Sequence, residues 1–388
     1  MKIFISAGEA SGDVHGANLI LALKKLNPSV ETYGLGKERM IDAGLHCLHD
    51  MGGRSVMWLH GLTKIVELWR IYSDCVKFFD KHVGAYRNTP LLVILIDYCG
   101  FNFHLARAAK KRGIPVMYYI SPQLWAHGPW RTRKIKKLVD KMVVIYPFEE
   151  EFYRKAGIPV KYVGHPLFDE IAKESALSPQ PSAFSPHDSL IALLPGSRVQ
   201  EVKRLMPLFL KAAERILKVM PSAKFVISCS EEAYRGLIEN IVHDFLRRLS
   251  ASGGAATLPY EIVVGNISEV IKASTLCITS SGTITLEIAS HLVPMIICYR
   301  LSPISYFIAN PHIPPYISLV NKLADSEIVP EALMYRDDAK WIASHALDLI
   351  CDEEKREKHI EGLRLIKELI GEPGASFRAA EEAMRMCV

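Results

Sequence analysis

Residues 2–35, KIFISAGEASGDVHGANLILALKKLNPSVETYGL, decide the fold. Lys2–Ser6 is a short apolar run of strand character, and it passes into a loop of small and acidic residues at Ser6–Asp13. Ala17–Leu26 then carries apolar residues at helical spacing, and Thr32–Leu35 returns to a strand pattern. Strand, helix and strand in this order are βαβ grammar, which implies a parallel sheet covered by helices on both faces.

The grammar repeats outward from this stretch. Leu91–Ile96, Val116–Ile120, Met142–Ile145 and Val160–Val163 are the further strands of a first half, with helical patterns at Ile65–Phe79 and Phe103–Arg112 between them. The segment Ile171–Ser189, IAKESALSPQPSAFSPHDS, is rich in Ser and Pro and has little periodic apolar signal, as expected of a linker. A second set of strands follows at Leu190–Leu194, Lys224–Cys229, Glu261–Val264, Leu276–Thr279 and Pro294–Tyr299, with helices at Glu201–Val219 and Thr283–His291. From Asp337 onward the pattern is helical, broken at Gly371-Glu372-Pro373-Gly374. The expected organisation is an α/β domain over 1–170, a linker over 171–189, a second α/β domain over 190–336 and a helical segment over 337–388. Two doubly wound, Rossmann-like domains would face each other, with ligands bound beyond the carboxyl ends of the strands, across the cleft between them.

Composition narrows the function classes. A chain of 388 residues exceeds one ordinary core and favours two domains. A hydrophobic content of 49% with 23% charged residues describes a well-packed protein, not a disordered one. The net charge of +5 is mild over this length and argues against nucleic-acid wrapping. Eight cysteines, at 47, 75, 99, 229, 277, 298, 351 and 387, form no CxxC pair and suggest a reducing cytoplasm without a disulfide framework. The run His46-Cys47-Leu48-His49-Asp50 has no second ligand cluster to accompany it, so a surface turn is expected there, not a metal site. The N-terminus lacks the features of a signal peptide, and no stretch reaches the roughly 18 apolar residues of a spanning helix. A soluble or peripheral protein is expected.

Three loops have the chemistry to hold a sugar nucleotide. In Ser6-Ala7-Gly8-Glu9-Ala10-Ser11-Gly12-Asp13 the glycines permit close backbone approach, while Glu9 and Asp13 suit sugar hydroxyls better than phosphate; a structural turn with Asp13 as a helix cap is the alternative. Ser280-Ser281-Gly282-Thr283-Ile284-Thr285-Leu286-Glu287 is the stronger signal. Ser281, Gly282 and Thr283 expose N–H groups at a helix start, where a diphosphate fits, and Glu287 is placed to grip ribose hydroxyls or simply to favour the helix dipole. Gly196, Ser197 and Arg198 end the first strand of the second half. There the planar guanidinium of Arg198 can clamp a departing diphosphate, or pair with Glu201 at the surface.

Asp97 ends the continuous apolar run Leu91–Ile96 and is followed by Tyr98-Cys99-Gly100-Phe101-Asn102. A carboxylate at the tip of a buried parallel strand faces the ligand crevice, and partial burial raises its pKa into the range of a general base. Capping of the next helix is its structural alternative, and Glu9 on a neighbouring strand tip competes for the chemical role.

Taken together, AGEASGD at 7–13, the ID and FN of 96–102, SPQLWA at 121–126, PFEEEFY at 147–153, GHPL at 164–167, LLPGSR with Glu201, SSGTITLE at 280–287 and PMIICYR at 294–300 resemble the lipid A disaccharide synthase family. The resemblance runs from end to end. It implies a GT-B fold, with the acceptor bound by the domain over 1–170 and the UDP-sugar by the domain over 190–336, and an inverting transfer of 2,3-diacylglucosamine from UDP to 2,3-diacylglucosamine 1-phosphate. The products would be a β-1,6 disaccharide 1-phosphate and UDP, formed without metal or cofactor. Asp97 matches the family's proposed catalytic acid position, Glu9 and Arg198 its essential loop residues, and Glu287 with the 281–283 backbone its nucleotide site. Asn321 and Glu327 match polar positions after the CYR-type strand. Asp97 is then the base for the acceptor 6-hydroxyl, and Arg198 with the helix near Gly282 stabilises the UDP leaving group. The chain departs from the family pattern at Gly36–Met40, at Trp125–Trp130, and at Gly100, where the usual DAPDFN stretch has a second aspartate. Another UDP-HexNAc transferase or epimerase, or a catalytically silent sugar-nucleotide or lipid-binding protein, is the competing reading.

Val56–Tyr72, VMWLHGLTKIVELWRIY, is more apolar than one helix face requires and includes Trp58 and Trp69. Arg131–Lys141 carries six Lys or Arg against the single acid Asp140. A core helix and a solvated charged face are the plain readings. The alternative is a surface in which Trp58, Trp69, Trp125, Arg131 and Arg133 meet anionic lipid or the acceptor phosphate. That would place a cytoplasmic protein peripherally at the inner membrane, and the sequence leaves a homo-oligomer open.

Overall fold

A computed structural model describes residues 1–51, 62–85, 91–127, 129–177, 189–251, 258–309 and 315–387. The chain divides into two compact units, Met1–Ala172 with Ile370–Val388, and Lys173–Leu369.

The first unit is built on β1 (Lys2–Ala7), β2 (Glu31–Gly36), β3 (His46–Asp50), β4 (Leu91–Ile96), β5 (Val116–Tyr119), β6 (Lys141–Val144) and β7 (Val160–Tyr162). They form one sheet in the order β3-β2-β1-β4-β5-β6-β7, with every neighbouring pair parallel. The second unit repeats the plan with β8 (Leu190–Leu194), β9 (Lys224–Cys229), β10 (Tyr260–Val264), β11 (Leu276–Ser280), β12 (Met295–Arg300) and β13 (Glu331–Met334). Their order is β10-β9-β8-β11-β12-β13, again all parallel. Each sheet reverses its winding direction once, between β1 and β4 and between β8 and β11. Such switch points open a crevice at the carboxyl ends of the strands.

Central strands read as unbroken apolar runs because helices cover both faces. All six residues of β4, LLVILI, are buried. On one face of the first sheet, helices Leu62–Ala85, Cys99–Lys110 and Thr132–Leu138 supply Ile71, Phe79, Phe103, Leu105, Ile135 and Leu138 to the core. On helix Val199–Val219, Val202, Leu205, Met206, Phe209, Ala213 and Ile216 form one buried stripe against the second sheet. Burying such side chains contributes about 1.5–3 kcal/mol each, the main force holding helix to sheet.

Several expectations change. His46–Asp50 is not a turn but the edge strand β3; it is nowhere fully buried, so its residues show no apolar run. β13, another short edge strand, in which Met334 alone is buried, was not anticipated either. The first helix begins at Ala10, so Gly12 and Asp13 lie in its first turn and not in the loop. Residues 171–177 of the expected linker continue the helix Leu167–Leu177, and 178–188 lie outside the described residues. The segment 337–388 is not one unit: helix Ala339–Cys351 packs in the second core, whereas Ala375–Arg385 packs on helix Ala10–Leu26 in the first. Asp169 secures that last helix by accepting the N–H groups of Gly374, Ala375 and Ser376 at 2.5, 3.1 and 2.8 Å, a remote N-cap. Among the described residues no helix is long and apolar enough to cross a membrane.

Candidate active site

At the switch point of the first unit, the tips of β1 and β4 are tied together by one side chain. Asn102 is fully buried; its Nδ2 donates to the carbonyls of Ile96 at 3.1 Å and Asp97 at 2.8 Å, and its Oδ1 accepts from Ser6 Oγ at 2.8 Å. Tyr118 Oη, arriving from β5, also donates to the Asp97 carbonyl at 2.6 Å. These bonds hold Asp97 and Tyr98 in the left-handed region, at φ 43° and 45°. Two successive non-glycine residues there store about 1–3 kcal/mol of strain each and persist only because their surroundings over-determine them. The bracing falls on the backbone of Asp97, and its side chain stands half-buried at the strand tip. Burial first, then the neighbouring Glu9 carboxylate, raises the Asp97 pKa above the ordinary carboxylate value.

Glu9 is exposed at the N-cap of the first helix, where its carboxylate makes no capping bond. The ring of Tyr98 lies against Gly8 so closely that a Cβ there would meet Tyr98 Cδ1 at 2.4 Å. Asp13 takes the alternative role, that of a helix cap, though on a different helix from its own. It is 4% exposed and accepts the N–H groups of Lys37 at 2.6 Å and Arg39 at 3.1 Å, capping the next helix, Glu38–Asp42, across the fold. Gly100, where the family pattern has aspartate, is exposed with nothing within 4 Å of a Cβ.

The SPQLWA and PFEEEFY motifs meet at Glu149. This residue is 1% exposed; its Oε1 accepts from Ser121 Oγ at 2.6 Å and Trp125 Nε1 at 3.1 Å, and its Oε2 from the Tyr146 N–H at 3.3 Å. Burial pushes its carboxyl up to about 7 against these bonds. Trp125 is therefore half-buried and edge-on to Phe148 at 5.1 Å, a brace for the 121–127 loop and not a surface tryptophan as expected. Trp69 is 69% exposed beside Val66 at 67%, and Trp130 is 71% exposed beside the exposed Arg131 and Arg133. Trp58 lies outside the described residues.

In the second unit, the turns after β8 and β11 leave the carboxyl ends of adjacent strands, which brings Gly196, Ser197 and Arg198 to the same edge as Ser281, Gly282 and Thr283. Gly196 has φ 106°, and a Cβ on it would fall 2.3 Å from Glu201 Oε2. Glu201 fills that space because it closes a capping box with Arg198, whose Nη1 lies 3.3 Å from Glu201 Oε1. The Arg198 side chain is 80% exposed, so the pair holds it weakly and leaves the guanidinium recruitable. Thr285 Oγ1 donates to the Gly282 carbonyl at 2.8 Å, shaping the turn before helix Ile284–Ser290, and Glu287 stands half-buried one turn in. Asn321 is not at this edge. It is fully buried, its Oδ1 accepts the N–H groups of Ile328 and Val329 at 2.9 Å, and its Nδ2 donates to the Val329 carbonyl at 2.8 Å. Glu327 is exposed in the same turn, at the amino end of β13 and away from the loops that leave the carboxyl ends. Sequence reasoning missed Asn102 and Glu149 as site-forming residues. Both stood in quoted motifs, but a polar residue that serves its neighbours' backbone looks like any other in the sequence.

The sequence profile of lipid-A-disaccharide synthetase matches residues 3–384. A lipid-A-disaccharide synthase of Geobacter sulfurreducens is 35% identical over 388 residues, covering 99% of this chain and 97% of that protein. Among solved structures, a UDP-GlcNAc 2-epimerase from Neisseria meningitidis bound to UDP-GlcNAc superposes with a TM-score of 0.65 at 15% identity, covering 99% of this chain and 100% of that one. The MurG protein of Acinetobacter baumannii superposes with a TM-score of 0.60 at 15% identity, covering 99% of each chain. At such identities the two structures speak for the fold, two Rossmann-like units of GT-B type. The sequence likeness over nearly the full length says more: this chain belongs to the lipid-A-disaccharide synthetase family.

Proposed function

We propose that this protein is an inverting glycosyltransferase that moves 2,3-diacylglucosamine from UDP onto the 6-hydroxyl of 2,3-diacylglucosamine 1-phosphate. The Asp97 carboxylate takes the hydroxyl proton as the oxygen attacks the anomeric carbon. The bond from that carbon to the UDP oxygen breaks from the opposite face, yielding the β-1,6 disaccharide 1-phosphate and UDP. The observation that carries this reading is the strained, backbone-braced tip of β4, which presents a carboxyl of raised pKa where a general base is needed. Glu9 tunes that base by its like charge.

The leaving group needs positive charge and donors, not a proton. Arg198 supplies the first. The Gly282 N–H is turned back to the Ser280 carbonyl at 3.0 Å, so the N–H groups of Thr283 and Ile284 are those assigned to the diphosphate. Ser281, Ser197 and Gly196 shape the two turns, and Glu287 takes the ribose hydroxyls. Asn321 acts by holding the turn into β13, and Glu327 is given no part in binding.

Purified protein with the UDP-sugar and the monosaccharide 1-phosphate tests the reading. Disaccharide and UDP appear together if it holds, and the Asp97→Asn variant loses nearly all turnover. UDP release without disaccharide points to an epimerase or another transferase, and UDP binding without turnover to a silent binding protein.

The first unit also meets anionic lipid peripherally, through Val66, Trp69 and Trp130 with the exposed bases Arg131, Arg133, Lys134, Lys136 and Lys137. Each basic residue contributes about 1 kcal/mol at an anionic surface. Co-sedimentation with anionic vesicles that survives charge reversal across 131–137 would remove this part.

A further inference from the structure

Tyr98 fills the place where the crevice of the first unit opens. It follows β4, next to the tip of β1, and its ring lies against the loop that leaves β1. A Cβ on Gly8 would meet Tyr98 Cδ1, Cγ and Cε1 at 2.4, 2.6 and 2.8 Å, and the ring also packs beside Phe101, with centroids 6.0 Å apart. The close approach that Gly8 permits is therefore taken by this side chain and not left for a ligand. Where the usual DAPDFN stretch has alanine, this chain puts an aromatic wall. The wall is held in place: Tyr98 is left-handed at φ 45° and ψ 51°, and its carbonyl accepts the Asn102 N–H at 3.1 Å as helix Cys99–Lys110 begins. A half-buried ring so confined has little rotamer freedom to lose when a ligand settles on it.

What the fold leaves open is the hydroxyl. Tyr118 and Tyr153, in the same unit, donate to the carbonyls of Asp97 at 2.6 Å and Pro122 at 3.4 Å. The Tyr98 hydroxyl has no hydrogen-bond partner among the described residues. Burial first, then the Glu9 carboxylate, raises its pKa above the ordinary phenol value, so at neutral pH it keeps its proton and can donate. The same Glu9 carboxylate acts on Asp97, which places one acid near both groups. The tips of β1 and β4 thus offer two carboxylates that accept and one phenol that donates. Such a set complements the edge of a sugar, whose hydroxyls do both. It is a poor set for a phosphate, which two carboxylates repel.

We propose that Tyr98 is a specificity-determining residue of the acceptor site: its ring bounds the crevice over Gly8, and its hydroxyl donates to an oxygen of the acceptor's glucosamine ring. The inference rests on the proposed reaction for the identity of the acceptor. Tyr98→Phe removes the hydroxyl and keeps the ring, so Tm is expected to hold. Glucosamine, glucosamine 1-phosphate and UDP are titrated calorimetrically into wild type and variant. Affinity for both sugars is expected to fall by the same factor, about fivefold, the worth of one hydrogen bond, with UDP affinity unchanged. Equal sugar affinity in the two proteins, including none in either, overturns the proposal. A fall confined to glucosamine 1-phosphate overturns it too, because the hydroxyl would then serve the phosphate. A fall shared with UDP, or a lowered Tm, makes the hydroxyl structural and has the same consequence. Turnover reads the contact in the full substrates: KM for diacylglucosamine 1-phosphate is expected to rise about fivefold, with KM for the UDP-sugar unchanged and kcat within about twofold. A rise in the UDP-sugar KM instead gives the hydroxyl to the donor, and a drop in kcat at constant KM gives it to the chemical step; either result overturns the assignment. If the wild type forms no disaccharide, the reaction reading falls, while the titration still decides whether Tyr98 meets a sugar.

Discussion

Asn102→Ala isolates the device that holds the tip of β4, where Asp97 is proposed to act as base. Two bonds to backbone carbonyls and one from Ser6 Oγ are lost, at about 1 kcal/mol each. Ser6, 1% exposed, is left with an unsatisfied hydroxyl, whereas the Asp97 carbonyl keeps the Tyr118 bond. The first unit should lose about 3 kcal/mol, or roughly 6–12 °C in melting temperature for a domain of this size. The larger effect is on rate. Without Asn102 the left-handed pair Asp97–Tyr98 has one brace fewer and relaxes, moving the carboxylate by a fraction of its own length. A shift of about 1 Å at a reacting group costs on the order of 100-fold in kcat. Differential scanning calorimetry and kcat, both measured well below the variant's transition, check the two parts separately. A variant that melts early but turns over within twofold of wild type refutes the positioning argument, and one that melts normally refutes the bonding argument.

Three further outcomes follow from the same geometry. Glu9→Gln removes a like charge that raises the Asp97 pKa; since the base must be ionised, activity is lost as pH falls through that pKa, and the acid limb of kcat/KM should move to lower pH, so an upward or absent shift contradicts the pairing. Glu149, at about 7 in the folded state against an ordinary 4.5, favours the protonated fold, so its stabilising share is present at low pH and lost between about 4.5 and 7. The stability difference between Glu149→Gln and wild type should shift in the variant's favour across that window by about 3 kcal/mol, read by urea unfolding at several pH values, and a flat difference speaks against a buried carboxyl. Gly8→Ala places a Cβ against Tyr98 and should lower kcat with UDP affinity intact, and unchanged kcat would mean that the Tyr98 ring has room to retreat.

How much of this was legible beforehand can be traced strand by strand. β1, β4, β8 and β11 were readable because a strand covered on both faces must be apolar throughout, and from their spacing two parallel sheets followed. β3 and β13 were not: of their nine residues only Met334 is buried, so neither sequence has to be an apolar run. The position of Asp97 at the tip of β4 was predictable from its place after LLVILI. Asp13, read as a ligand residue or a helix cap, and Trp125 and Asn321, read as ligand residues, share one feature. Each looked available for a ligand, and each has its polar atoms occupied by a partner distant in sequence or by its own fold: Lys37 and Arg39, Glu149, and Ile328 with Val329.

Local order of strand and helix, and the chemistry at strand tips, follow from side-chain periodicity along the chain, which needs no knowledge of distant contacts. Which polar groups are left for a ligand depends on hydrogen bonds closed across the fold, and those exist only once β1, β4 and β5 lie side by side. The tip that the first 35 residues announced was therefore foreseeable as a place, but the strain at Asp97 and Tyr98, and the single buried asparagine that sustains it, were decided by packing.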